Sequence, residues 1–226
     1  MIEAPVPRAD GAALAELVPV MRRLRAECPW KSAQTHRTLA RHLLEETHEV
    51  LEALDTGDTA LLREELGDLL LQVYFHAAIA EERGDFDVDD VAADLHAKLV
   101  RRNPHVLGGD DARGAAGGAG DAVPDAATVN ETWEAVKATE KRRTSPVDGL
   151  PATLPALLWA DKVLDRAARA GTPVEVPGPA ADPAADPADP AGPTDLGDRL
   201  LALVAEARAT GTDPEQALRD AVRRRL

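Results

Sequence analysis

HLLEETHEVLEALDTGDTALLREELGDLLLQVYFHAAIA, residues 42–80, decides how the rest of the chain is read. Two helical patterns meet at the short turn DTGDTA. The first carries Glu45, Glu46, Glu49 and Glu52; the second opens with Glu65 and Asp68 and then turns almost wholly apolar. A helix advances about 100° per residue, so positions three apart share a face. Glu46 and Glu49 are one such pair, and Glu65 and Asp68 are another. An antiparallel hairpin brings the two pairs opposite each other. Four carboxylates so placed suit Mg²⁺ or Mn²⁺, hard cations that prefer oxygen ligands. Glu45 and Glu52 flank the same face, and Glu45 is a further candidate for orienting a water.

From Leu69 to Ala80 only Gln72 and His76 are strongly polar. A helix apolar nearly all round is expected to be buried nearly all round. Glu65, Asp68, Gln72 and His76 then form a polar seam on a buried element. Burying uncompensated carboxylates costs on the order of several kcal/mol each, so a metal, a cationic partner or a proton must offset it. A salt-bridge network with arginines is the other reading of the same acids. Gly67 costs about 1 kcal/mol relative to alanine inside a helix, which a close approach or room for a ligand would justify.

Outward from this hairpin the chain reads as helical, with no convincing alternating strand. A helix is expected from Ala12 to Glu27, with Pro19 as a kink or a start, followed by CPWKSAQTH as a loop. The hairpin helices run from about Thr38 to Leu54 and from an Asp58 cap to near Gly84. Asp87 and Asp90 cap a further helix that stops before Pro104. Residues 108–127 read as a flexible Gly-rich loop, and VNETWEAVKATEKRR as another helix. A helix from about Leu154 to Ala170 precedes a Pro/Ala/Asp linker over 171–194. Two short helices, about Leu196 to Arg208 and Pro214 to Arg225, close the chain. There ELGDLLLQVYFHA is echoed by DLGDRLLALVAEA, each followed by a glycine, an aspartate-led cap and a helix ending in arginines.

Composition bounds the partners. Of 226 residues, 44% are apolar but only 3% aromatic, so Leu, Val and Ala must build the core, which favours helix. A net charge of −14 argues against general affinity for nucleic acid or anionic membranes. The one cysteine, Cys28, excludes an intrachain disulfide and fits a reducing cytoplasm. No signal peptide is visible, and no apolar run approaches the roughly 20 residues that span a bilayer. Positive groups occur where an anion could use them. Lys98 and Arg102 share a helix face, as do Trp133 and Lys137. An aromatic face beside a lysine suits a base plus phosphates.

Taken together, MRRLRAECPW, QTH, LLEETHEVLEAL, LREELGDLLLQVYFHA, KLVRRNPHV, TWEAVKATEK and DGLPATLPALLWADK resemble the MazG-type nucleoside triphosphate pyrophosphohydrolases, within the all-α NTP pyrophosphatase superfamily. The likeness implies an all-α helical bundle with a four-helix core completed by dimerisation. It implies Mg²⁺-dependent cleavage of NTP or dNTP to the monophosphate and pyrophosphate, suggesting house-cleaning of non-canonical nucleotides. Carried over, Glu46, Glu49, Glu65 and Asp68 are the metal ligands, and Lys98, Arg102, Trp133 and Lys137 bind the nucleotide. Lys31, Asn103 and His48 depart from the family's usual residues, which bears on substrate preference.

The implied organisation is a catalytic domain over 12–170, the linker, and a degenerate second unit over 195–226. In that unit Asp195 and Asp198 stand where the second acidic pair would be, without a helix to supply the first. Two rivals remain: a non-catalytic nucleotide-binding or scaffold protein, and a di-iron carboxylate bundle. The latter wants Glu-x-x-His twice, whereas Glu45 to His48 supplies one match.

Overall fold

A computed structural model describes residues 11–107, 128, 129, 133, 136, 144–176 and 196–226. Its helices are α1 (Ala12–Glu27), α2 (Pro29–Ser32), α3 (His36–Thr56), α4 (Thr59–Glu81), α5 (Val88–Arg102), α6 (Pro104–Leu107), α7 (Ala156–Arg169), α8 (Leu196–Ala209) and α9 (Pro214–Arg223). Thr128, Val129, Trp133 and Val136 are also helical, and there is no strand among the described residues. The fold is all-α, as the composition and periodicity require. The expected Gly-rich loop, Lys137, Asp195 and most of the linker lie outside the described residues.

Local chemistry sets the helix ends. Asp58 accepts from the backbone N–H groups of Ala60 and Leu61 at 2.9 and 3.1 Å, starting α4 where its own sequence places it. Asp87 and Asp90 form a reciprocal capping box at the start of α5. Asp213 caps α9 in the same way as Asp58 caps α4. Replacing Asp58 with alanine orphans two donors. The expected cost is about 1 kcal/mol, read as a lower urea midpoint at unchanged slope. One expectation is corrected here. CPWKSAQTH is not loop throughout, because Pro29 at the first helical position starts the single turn of α2.

The chain divides into two compact units, Met1–Val136 and Lys137–Leu226. In the first, α3 and α4 form the antiparallel hairpin, and α1 packs on α4. Their core is Met21, Leu39, Phe75, Ala78 and Ile79, with Leu71 and Tyr74 against it. Arg25 is buried beneath this core's edge. It pairs with Glu82 at 2.5 Å, donates to the carbonyl oxygens of Lys31 and Gln34, and lies 5.8 Å from the Phe75 ring centroid. Arg22 pairs with Glu81 one turn earlier. In the second unit, α8 and α9 pack on α7. Leu164, Ala167 and Val204 are buried there, and Arg208 of α8 pairs with Asp161 and Asp165 of α7.

The echo between the two Leu-rich stretches extends to their C-termini. Gly84 and Gly211 both adopt φ near +70°, at 74° and 71°. In each case the next residue's N–H reaches back five positions, Asp85 to Ala80 at 3.1 Å and Thr212 to Ala207 at 2.8 Å. This is the Schellman pattern that ends a helix on a left-handed residue, and α7 ends the same way at Gly171, with Thr172 N–H reaching Ala167 at 3.0 Å. Acids at the end of α4 meet arginines of α1, and an arginine at the end of α8 meets acids of α7, the same placement with inverted sign.

Burial of α4 differs from the sequence expectation. Gln72, Phe75, Ala77, Ala78, Ile79 and Ala80 are buried, but Leu66 and Val73 are 49% and 40% exposed. The reason is packing geometry: among the described residues α3, α1 and α5 pack on α4 without covering Leu66 and Val73.

Candidate metal centre

Glu46, Glu49 and Glu65 each offer a carboxylate oxygen, and these oxygens all lie within 4.8 Å of one another. The hairpin explains it. Gly57 in the left-handed region ends α3, the Asp58 cap starts α4, and the two arms then run antiparallel. Glu46 and Glu49 from one arm meet Glu65 from the other. Asp68 lies outside this tight group, yet its negative charge acts on both Glu46 and Glu65. The acids are not enclosed as the apolar character of α4 suggested. Glu49 is exposed, and Glu46 and Glu65 are half-buried.

Burial, then the charges of Asp68 and Glu49, raise the Glu46 carboxyl above its ordinary value of 4.5. Burial, then Glu49 and Asp68, do the same for Glu65. Such a donor set fits a hard divalent cation: all oxygen, negative and mutually repelling until a cation arrives. No histidine joins the cluster among the described residues, which disfavours the di-iron reading.

The raised pKa values carry a stability consequence. Between 4.5 and the raised values, the metal-free fold binds more protons than the unfolded chain. These two groups therefore favour folding most at acid pH and lose that contribution as pH rises through their folded values. Thermal shift assays should show a larger Mg²⁺-induced rise in Tm at about pH 7 than at about pH 5. Glu46→Gln should raise the metal-free Tm at the higher pH and remove most of the Mg²⁺ response. An equal response to Mg²⁺ in the variant would assign the ion elsewhere.

Glu45 has separate partners. It accepts from Arg41 at 2.9 Å and lies 3.0 Å from His42, and Arg41 chiefly holds it below the usual carboxylate range. Lys98 is exposed on α5, while the Arg102 guanidinium lies 5.2 Å from the Trp133 ring centroid. Further along the seam, His76 Nδ1 meets His36 Nδ1 at 2.7 Å with the rings stacked, and burial lowers the His76 pKa. Gln72 Oε1 and His76 Nε2 are buried without a hydrogen-bond partner. Sequence reasoning placed both residues on the seam but had no signal for the His36 contact, which depends on the hairpin's register. A cleft of about 480 Å³ between α1, α2 and the end of α4 is lined by Arg22, Arg25, Glu81 and Glu82. It lies far from the acids, and its charges pair internally.

Comparison with known proteins agrees with this geometry. Residues 34–107, which span the hairpin and α5, match the MazG nucleotide pyrophosphohydrolase domain. The nucleoside triphosphate pyrophosphohydrolase/pyrophosphatase MazG of Thermotoga maritima is 36% identical over 226 residues, covering 95% of this chain and 83% of that one. A Streptomyces cacaoi protein described as an uncharacterized 26.1 kDa protein in the blaB 3′ region is 43% identical, covering 93% and 78%. A nucleoside triphosphate pyrophosphohydrolase of Mycobacterium tuberculosis is 45% identical over 168 residues, covering 74% of this chain and 48% of its own length. The chain belongs to the MazG nucleotide pyrophosphohydrolase family.

Proposed function

We propose that this chain hydrolyses nucleoside triphosphates, NTP or dNTP, between the α- and β-phosphates, releasing the monophosphate and pyrophosphate with Mg²⁺ as cofactor. The observation that carries this reading is the three-carboxylate cluster from two antiparallel helices of the matched domain. Glu46, Glu49, Glu65 and Asp68 would hold the ion; Mn²⁺ suits the same donors. Bound there, Mg²⁺ would neutralise phosphate oxygens and acidify a water. Glu45, kept ionised and held in place by Arg41, is the residue we assign to orienting the attacking water. Lys98, Arg102, Trp133 and Lys137 would bind the nucleotide, and the Arg102 guanidinium lies 5.2 Å from the Trp133 ring centroid. Attack forms one new P–O bond at the α-phosphorus and breaks the bridging bond to pyrophosphate.

The test is a panel of canonical and damaged NTPs with Mg²⁺, with products separated as NMP, NDP and pyrophosphate. NMP and pyrophosphate are expected, with damaged nucleotides preferred if the role is house-cleaning of the cytoplasmic pool. NDP with orthophosphate would overturn the reaction assigned.

A homodimer completes this reading. No residue of α5 is buried, and Val91, Leu95 and Leu99 present an exposed apolar face at four-residue spacing. Leu66 and Val73 of α4 are exposed as well. Apolar faces of this extent call for a partner. No described helix is long and apolar enough to cross a membrane, and the net charge of −14 disfavours nucleic acid. Residues 12–170 are read as the catalytic domain, 171–194 as the linker and 195–226 as a truncated second unit, with α7 of the first span packed against α8 and α9 of the last. Among the described residues Asp198 has no counterpart of α3 beside it and belongs to no acid cluster.

A further inference from the structure

The structure sorts the acids of the hairpin into two kinds. Glu46, Glu49, Glu65 and Asp68 form no ion pair with a basic side chain among the described residues. Glu45, next in sequence to Glu46, is held at both of its oxygens. Arg41 Nη2 donates to Oε1 at 2.9 Å, and His42 Nδ1 lies 3.0 Å from Oε2. An ionised carboxylate only accepts, so His42 carries a proton on Nδ1 and donates it. Both donors sit on the preceding turn of α3, four and three residues back, where helix geometry sets them against Glu45. The His42 ring is itself braced edge-to-face by Trp30 of α2, with centroids 6.1 Å apart and planes at 70°.

Stability does not account for this clamp. The Arg41 side chain is 74% exposed and that of Glu45 46%, and an exposed pair at this spacing adds little to folding. The neighbouring acids give it another task. A hard divalent cation accepts about six oxygen ligands, so a fifth carboxylate beside the cluster is a ready recruit. A carboxylate that joins the ion displaces a water and can no longer orient one. Glu45 lies outside the group of acid oxygens that converge within 4.8 Å, and its two oxygens are both engaged elsewhere. The positive charge of Arg41 and the Nδ1–H of His42 oppose its recruitment.

We propose that Arg41 and His42 are positioning residues that hold Glu45 off the metal ion, leaving it free to orient the attacking water. This deepens the function proposed above and rests on the water-orienting role assigned there to Glu45. The clamp divides the labour between adjacent glutamates of one helix: Glu46 binds the ion, and Glu45 is kept beside it.

The test uses the full chain with Mn²⁺ alone, read by calorimetry and by water-proton relaxation, which falls when a carboxylate displaces a water from the ion. Arg41→Met keeps the aliphatic stem but removes the charge and the donors. It should lower the Kd for Mn²⁺ about threefold and reduce the relaxation, as Glu45 joins the ion. On NTP with Mg²⁺ the same variant should lose about tenfold in kcat at nearly unchanged KM. Arg41→Lys should recover most of both. His42→Phe should act in the same direction, and His42→Asn, whose amide can replace the Nδ1–H donor, should recover. The Tm should move by less than about 2 °C throughout. In a Glu45→Ala background, Arg41→Met should change neither Mn²⁺ binding nor kcat by more than about twofold, because it acts only through Glu45. Unchanged Mn²⁺ binding and kcat in Arg41→Met would overturn the proposal. So would a full effect that persists without Glu45, which would place Arg41 on the substrate itself. A fall in Tm matching the loss of rate would make Arg41 a structural residue and overturn it too. Absence of NTP turnover in a wild type that binds Mn²⁺ sinks the reaction assigned above and the clamp with it. Turnover with Mn²⁺ binding indifferent to Arg41 sinks only the clamp.

Discussion

Glu49→Gln should lose about 10³-fold or more in kcat/KM for NTP while the helices stay folded. The substitution keeps the side chain's shape but removes its charge from the three-carboxylate cluster. A metal ligand stabilises transition-state charge by several kcal/mol, and each 1.36 kcal/mol is about tenfold in rate. Glu49 is exposed, so the change opens no cavity and orphans no buried partner. It also relieves repulsion against Glu46 and Glu65, so the metal-free Tm should hold or rise. Initial rates of pyrophosphate release with circular dichroism on the same samples check both halves. Full turnover in a folded Glu49→Gln variant would remove the site. A drop in Tm matching the drop in rate would assign Glu49 a structural role instead.

The largest stability effect should come from Phe75→Ala. Phe75 is 1% exposed and sits in the cluster formed by Met21, Leu39, Ala78 and Ile79. Deleting such a ring removes its transfer free energy and leaves a cavity, costing about 3–5 kcal/mol. Two cations also lose their ring, since Arg25 and Lys31 both lie within 6 Å of its centroid, at 5.8 and 5.3 Å. A fall in Tm of about 10 °C or more is expected by calorimetry. Phe75→Leu, which keeps most of the volume, should cost much less. Val73→Ala, on the same helix but 40% exposed, should scarcely move the Tm of a monomeric sample. If the two alanine variants melt alike, the core is not centred where α1, α3 and α4 meet.

The elements most legible in the sequence were those set by neighbours in the chain. Asp58, Asp87 and Asp213 cap their helices because a short side-chain acceptor just before a helix reaches its first free N–H groups. The acid pairs were legible because three-residue spacing fixes a common face and a short turn fixes antiparallel arms. The one-turn α2 was missed because Pro29 and Trp30 read equally well as a bend. The buried Arg25 was missed because its partners Glu82, Lys31 and Gln34 come from three other segments. Overestimating the burial of α4 had a related cause. Hydrophobicity says that a face must be covered, not whether the same chain covers it.

By itself the sequence determined an all-helical chain, the starts and stops of its main helices, and two carboxylate pairs at facing positions of one hairpin. Only the tertiary structure decided that Glu46, Glu49 and Glu65 converge while Asp68 stands slightly apart, that Glu45 is bound to Arg41, that His36 meets His76, and that α7 joins α8 and α9. The difference is one of range. Capping and helical periodicity act within a few residues, so they can be read from the string of letters. Distances between side chains on separate helices follow from the register and rotation of packed elements, which the whole core sets at once.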